Sequence, residues 1–167
     1  MSTDSRDTLE ALQALAAGVP QAPPTCHLVW TAVVDIGERQ MLGGGPSGER
    51  AIVPITGGHF WGGPGHGALR GRVCADGADR QLWRADGVKE LLAVYEMQCD
   101  DGTVLSIDNR ALVDDSAPEG RYCVGRVFVA APEGPHGWLN RRVLVATVQP
   151  LRPARAAVLV RAWRVDP

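Results

Sequence analysis

At 167 residues, 45% of them apolar and 22% charged, the chain has the make-up of one ordinary globular domain, long enough to bury a core. Its net charge is −2 and its basic residues are scattered, apart from Arg152, Arg155, Arg161 and Arg164 near the end, so nothing points to nucleic acid. No apolar run approaches the ~18 residues that span a bilayer, and 20 Gly and 12 Pro against two Phe and two Tyr favour short strands and turns over a helical bundle.

The opening MSTDSRDTLE is polar and acidic, with no basic start leading into an apolar segment. No secretory signal is therefore expected, and the expected setting is cytoplasmic, away from membranes. Residues 7–17 predict the single helix: Asp7 can cap it, Glu10 completes a capping box, and Leu9, Leu12, Leu15 and Ala16 share a face. Gly18 and Pro20 stop it, and Pro23-Pro24 leads stiffly onward. Residues 1–24 thus read as a helix plus proline-rich connection, an appended cover or oligomer contact, and 25–167 as the body.

In the body, residues 26–36 predict a β-rich strand and 37–48 a long loop around Gly43-Gly44-Gly45-Pro46. Strands are expected at 50–55, 69–74 and 81–84. The D-G pair at Asp86-Gly87 signals a hairpin, and Asp100-Asp101-Gly102 joins 91–99 to 103–108 in the clearest hairpin of the chain. Residues 121–130 predict a strand whose interior Gly125 implies a bulge or close approach, and 139–148 and 156–165 predict the last two. About eight to ten mostly antiparallel strands argue for an all-β barrel or sandwich. Cys26, Cys74, Cys99 and Cys123 form no C-x-x-C pair, so reduced thiols packed as small apolar residues are expected.

Glycine is densest at 49–79, where it fills eight of 31 positions. These glycines follow no G-x-G-x-x-G or G-K-[ST] pattern, so a phosphate cradle is not expected. They imply a backbone that bends sharply and carries His59, Phe60, Trp61 and His66, and that bend is the first candidate site.

Arg50-x-x-Pro54-Ile55-x-Gly57-Gly58, Gly63-Pro64, Gly67, Gly71, Gly77-Ala78-Asp79 and Asp86-Gly87 together resemble the UPF0311 family, also called the DUF3237 domain. So do Ala93-x-Tyr95, Asp100-Asp101-Gly102, Ile107-x-Asn109 and Trp138-Leu139-Asn140. The resemblance covers 28–165. It implies an antiparallel β-barrel of the calycin or allene-oxide-cyclase kind with a ligand in its mouth, and little about activity. The family usually has a small residue at 59 and an acid at 61. It also reads Asp-Ala-Arg-Tyr where this chain reads Leu92-Ala93-Val94-Tyr95. These departures suggest a site retuned toward apolar or aromatic ligands.

Candidate catalytic residues are His59, Asp79 and Tyr95. His59 can titrate near neutrality. Asp79 either caps a turn or faces a cavity as a carboxylate of raised pKa. Tyr95 either packs in the core or offers its hydroxyl to a ligand. Candidate substrate contacts are Arg50 as a carboxylate grip, Phe60, Trp61 and Trp138 as walls, and Asn140 as an amide partner. Trp138 and Asn140 are expected on one face of the 139–148 strand.

His66 and His136 are weaker candidates, and the spacing of His59 and His66 matches no metal set. No cofactor or metal is expected. The functional expectation is a small-molecule barrel acting as a cofactor-free isomerase, cyclase, lyase or hydratase on an aromatic or polyketide-like metabolite. The alternatives are a non-catalytic carrier or sensor, and an interaction protein whose barrel is filled and which forms a homo-oligomer.

Overall fold

Alternation of apolar residues two apart sets the architecture. In the strand from Val104 to Asp114, Leu105, Ile107, Asn109, Ala111 and Val113 are all buried while Val104, Ser106, Arg110 and Leu112 are exposed. A pleated strand puts these sets on opposite faces, so a sheet built this way curls around its apolar side.

The computed structural model describes residues 8–167. The strands are β1 (Thr25–Ile36), β2 (Gln40–Gly45), β3 (Gly48–Gly62), β4 (Gly71–Val73) and β5 (Gly77–Trp83). They continue as β6 (Lys89–Cys99), β7 (Val104–Asp114), β8 (Tyr122–Ala130), β9 (Val143–Pro150) and β10 (Ala157–Asp166). The antiparallel path β1-β10-β9-β8-β7-β6 is continued by β5 and β4, which both bridge β6 to β3. β3 then pairs with β1 and closes an eight-stranded antiparallel barrel. The expected barrel is therefore the observed one.

β3 makes the closure. Its first half lies between β2 and β5, and its second half between β1 and β4. The exchange of neighbours occurs at Gly57-Gly58, next to a register shift between Asp35 and Ile36. Gly58 has φ +133°, and a Cβ there would stand 2.1 Å from the Val33 carbonyl oxygen. Only glycine fits so close to the neighbouring strand. Gly57, Gly58 and Gly62 of the stretch that suggested a ligand bend thus serve strand pairing within β3, and Gly63, Gly65 and Gly67 lie in the turn that follows it.

Two other expectations are corrected. Residues 37–48 contain β2, a hairpin arm exposed along its length, so no apolar alternation marked it in the sequence. The stretch expected as a strand from 139 begins instead with a turn of 3-10 helix, Gly137–Arg141, and β9 starts at Val143. Leu139 plugs the core, while the Asn140 amide accepts from the Ala131 N–H and donates to its carbonyl, both at 2.9 Å.

Helix α1 (Leu9–Ala17) is capped by Thr8, whose hydroxyl accepts from the Ala11 N–H at 3.3 Å. Asp7, the expected cap, lies outside the described residues. None of the helix's residues is buried. No helix among the described residues is long and apolar enough to cross a membrane.

The interior is divided. One end is packed solid by Trp30, Phe60, Met97, Leu105, Leu139 and Leu144, each about 2% exposed or less. Such side chains contribute roughly 1.5–3 kcal/mol apiece. The other end is open. Cys99 and Cys123 are buried, Cys74 is half-buried and Cys26 exposed, all as free thiols.

Candidate functional site

The open end holds a cavity of ≈ 410 Å³. Its geometry follows from strand register. Trp83 pairs with Lys89 at the mouth, Gln81 with Leu91 one rung down, and Asp79 with Ala93 below that. Asn109 lies opposite Ala93 on β7, and Tyr95 is the next inward residue of β6. Successive rungs are two residues, about 7 Å, apart. A single line of inward positions therefore carries a graded chemistry from charged mouth to phenolic floor.

Two glycines admit the polar floor. A Cβ at Gly77 would lie 2.5 Å from the Tyr95 Cβ, and one at Gly125 would lie 2.7 Å from Asn109 Oδ1. The interior Gly125 that signalled a close approach marks this contact.

The polar groups are incompletely paired. Gln81 Nε2 donates to Asp79 Oδ2 at 2.6 Å. Asp79 Oδ1, Gln81 Oε1, Tyr95 Oη and Asn109 Oδ1 are buried without a hydrogen-bond partner among the described residues, and all four residues line this one cavity. Burial pushes the Asp79 carboxyl above the usual range, against the opposing pull of the Gln81 bond and of Lys89. Burial likewise drives the Tyr95 hydroxyl upward, so it stays a neutral donor.

The walls are apolar: Val34 and Ile36 from β1, Val53 and Ile55 from β3, Val148 from β9 and Val160 from β10. Arg39, Lys89, Arg121 and Arg152 ring the mouth. Arg39 and Lys89 sit 5.0 and 5.3 Å from the centroid of the Trp83 ring. An enclosed apolar space with a few convergent polar groups and one acid of raised pKa has the build of a ligand site. A carboxyl whose pKa burial raises holds its proton more tightly than an exposed one, beside a phenol able to donate to an oxygen.

Of the residues singled out from sequence, the structure brings Asp79 and Tyr95 together here. The others are elsewhere. His59 and Trp61 are exposed on the outer face of β3, because Phe60 between them points into the packed end of the core. Arg50 is exposed and lines a groove on the outside of the barrel. Trp138 stacks on His66 with ring centroids 5.1 Å apart, and Asn140 is committed to Ala131.

Leu92 and Val94, read as a retuned site, lie on the other face of β6 from the inward Ala93 and Tyr95, and Val94 is 48% exposed. Those two departures lie outside the cavity. Sequence reasoning missed Gln81, Lys89, Arg39, Arg121 and the role of Asn109. For Asn109 a signal existed: it is the lone polar residue in the inward series 105–113.

A second cluster lies at the packed end. Cys99, Asp101 and His136 bring one ligand atom each within 4.8 Å of one another, a set able to hold a metal ion. His136 Nε2 is 3.3 Å from Asp101 Oδ2, and Asp101 Oδ1 accepts the Thr103 N–H at 2.9 Å, as a hairpin aspartate does. None of the three lines the cavity.

A protein-family model described as a protein of unknown function, DUF3237, matches residues 24–165. A UPF0311 protein of Rhodopseudomonas palustris is 36% identical over 84 residues, 50% of this chain and 52% of that protein. One from Bradyrhizobium diazoefficiens is 32% identical over 84 residues, again 50% and 52%. The matched stretch spans about half the length of these curated relatives.

Among solved structures, a β-barrel like protein of Acinetobacter baumannii superposes with TM-score 0.77 at 25% identity, covering 88% of this chain and 99% of that one. A conserved protein of unknown function from R. palustris gives 0.76 at 25%, covering 87% and 100%. A structure described as an enzyme from Penicillium herquei gives 0.69 at 21%, covering 89% and 99%.

Proposed function

The chain belongs to the DUF3237 family, and from that premise and the cavity we propose that it is a small-molecule enzyme whose own side chains supply acid–base chemistry. The observation that carries this reading is the convergence of four buried, unpartnered polar atoms on one apolar cavity. Leaving such groups unpaired costs roughly 1–3 kcal/mol each. A fold tolerates that where a ligand supplies the missing partners. The fold is compatible with catalysis, since the P. herquei barrel is described as an enzyme.

The substrate class is an apolar, oxygen-bearing metabolite of aromatic or polyketide-like shape. Asp79 acts as the proton acceptor, its basicity heightened by burial. Tyr95 donates to the oxygen on which charge develops, and Asn109 and Gln81 orient that group. Isomerisation, cyclisation and elimination all begin with this proton transfer, and holding the substrate in a dry cleft favours each.

A carrier would need the apolar walls but not a buried carboxyl of raised pKa. The test is 5-nitrobenzisoxazole, an apolar bicycle whose N–O bond breaks when a base removes its one acidic C–H proton, giving a coloured cyanophenolate. Wild-type protein should accelerate the opening above buffer, with the rate rising as Asp79 deprotonates, and Asp79→Asn should abolish the acceleration. Equal rates in wild type and Asp79→Asn would overturn the assignment.

A further inference from the structure

The mouth of the cavity carries a feature that proton transfer does not use. Arg39, Lys89, Arg121 and Arg152 come from four separate segments of the chain, and all line the same opening. Arg121 is offset by Asp115 at 3.0 Å, a pair exposed to solvent. No carboxylate lies within ion-pair distance of Arg39, Lys89 or Arg152 among the described residues. Asp79, the acid inside, sits two rungs below Lys89 on the register. Trp83 fixes two of the cations by holding both over its ring.

Like charges gathered at an apolar opening repel one another. At Lys89, burial chiefly pulls the ammonium below the usual range, Arg39 and Arg121 add to that, and Asp79 and Asp115 oppose it. An anion seated among them would relieve that repulsion. Resting on the acid–base reading above, we infer that the substrate is an organic anion: an apolar body with a carboxylate or similar group held by Arg39, Lys89 and Arg152 at the mouth, and an uncharged oxygen function reaching the Asp79–Tyr95 level. The register separates mouth and floor by two to three rungs, about 13–20 Å along the strand before the long Lys and Arg side chains reach inward. The side chains shorten that gap, since the Lys89 and Arg39 charges act on the Asp79 carboxyl, so a compact apolar body fits between them.

The test compares two dyes that differ by one charged group, 1-anilinonaphthalene-8-sulfonate and the neutral N-phenyl-1-naphthylamine. Fluorescence titrations are run on wild type, on Arg39→Gln/Lys89→Gln, and on Ala93→Trp, which fills the cavity wall. Ala111→Phe serves if Ala93→Trp fails to fold by circular dichroism. The part of each titration lost in the filled variant belongs to the cavity. The expected result is that this part is at least about tenfold tighter for the sulfonate. The preference should shrink toward unity in the double variant, and as salt is raised to about 0.5 M. Equal cavity affinity for both dyes would overturn the anion inference and leave the acid–base site standing. A titration unchanged by filling the cavity, for both dyes, would sink the site itself and the inference with it.

Discussion

Burial keeps the Tyr95 hydroxyl neutral, so it serves as a donor, and it has no partner among the described residues. Tyr95→Phe deletes the donor and leaves the ring packing intact. Activity on 5-nitrobenzisoxazole should fall about 10²-fold or more, the usual cost of one such donor. Thermal stability should stay level or rise, because an unpaired buried hydroxyl disappears. Unchanged activity would remove Tyr95 from the chemistry.

Asp79 carries the opposite sign from Asp35, Asp86, Asp101, Asp108 and Asp114. Its folded pKa lies above the unfolded 3.8, so ionising it opposes folding, and that penalty is present at neutral pH. Asp79→Asn keeps an acceptor for Gln81 and should raise Tm at pH 7, by about 2–4 °C for each kcal/mol relieved. The gain should vanish below about pH 4, where both states of the wild type are protonated. A Tm difference independent of pH would refute the raised pKa. Both residues were legible in the sequence as candidates, yet their company was not: nothing in the order of residues says that position 79 faces position 93.

At the scale of elements, barrel closure rests on β3. Gly58 sits at φ +133° against the Val33 carbonyl, and Gly57 and Gly58 pair with Asp35 and Val34 of β1. Any side chain at 58 pushes the two strands apart where the ring closes. Gly58→Ala should therefore destabilise by about 1–3 kcal/mol, read as a lower urea midpoint. A midpoint equal to wild type would show that the closure tolerates the methyl group. The sequence showed that 57–71 is glycine-rich, and the natural reading was a ligand loop. Closure of β1 on β3 links residues some twenty to thirty apart, and that contact is what uses Gly57 and Gly58. The 3-10 turn at Gly137–Arg141 escaped for a related reason: Leu139 leaves the strand pattern to plug the core.

For the whole molecule, acid is the informative stress. Asp35, Asp86, Asp101, Asp108 and Asp114 are held below the usual carboxylate value, chiefly by hydrogen bonds from Arg155, Arg84, Thr103, Arg110 and Ser116 respectively. A depressed pKa contributes stability that is complete above the unfolded value of 3.8 and is lost as pH falls through the lower folded values. Tm should hold down to about pH 5 and fall steadily toward about pH 3. Asp35→Asn, which breaks the two-pronged Arg155 contact of 2.6 and 2.8 Å, should lower Tm at pH 7 and flatten that fall. These pairs are mostly exposed, so each contribution is small. A Tm unchanged down to pH 3 would show that none of them matters.

The amino-acid sequence by itself determined the fold class, because period-two burial and D-G turns are local signals that need no partner to be read. The antiparallel all-β class, the residues 91–99 and 103–108 as a hairpin, and Tyr95 beside Ala93 on one face all follow from it, whereas the closed ring was implied only by the family resemblance. Which end of the barrel is open was decided by tertiary structure alone. Packing one end with Phe60, Met97 and Leu105 leaves the other, lined by shorter Ala and Val side chains, unfilled. The cavity therefore gathers Asp79, Gln81, Tyr95 and Asn109, drawn from three strands, while the His59–Trp61 stretch that looked richest in chemistry lies outside it. Burial depends on what the neighbouring strand places opposite, and that is a property of the closed barrel.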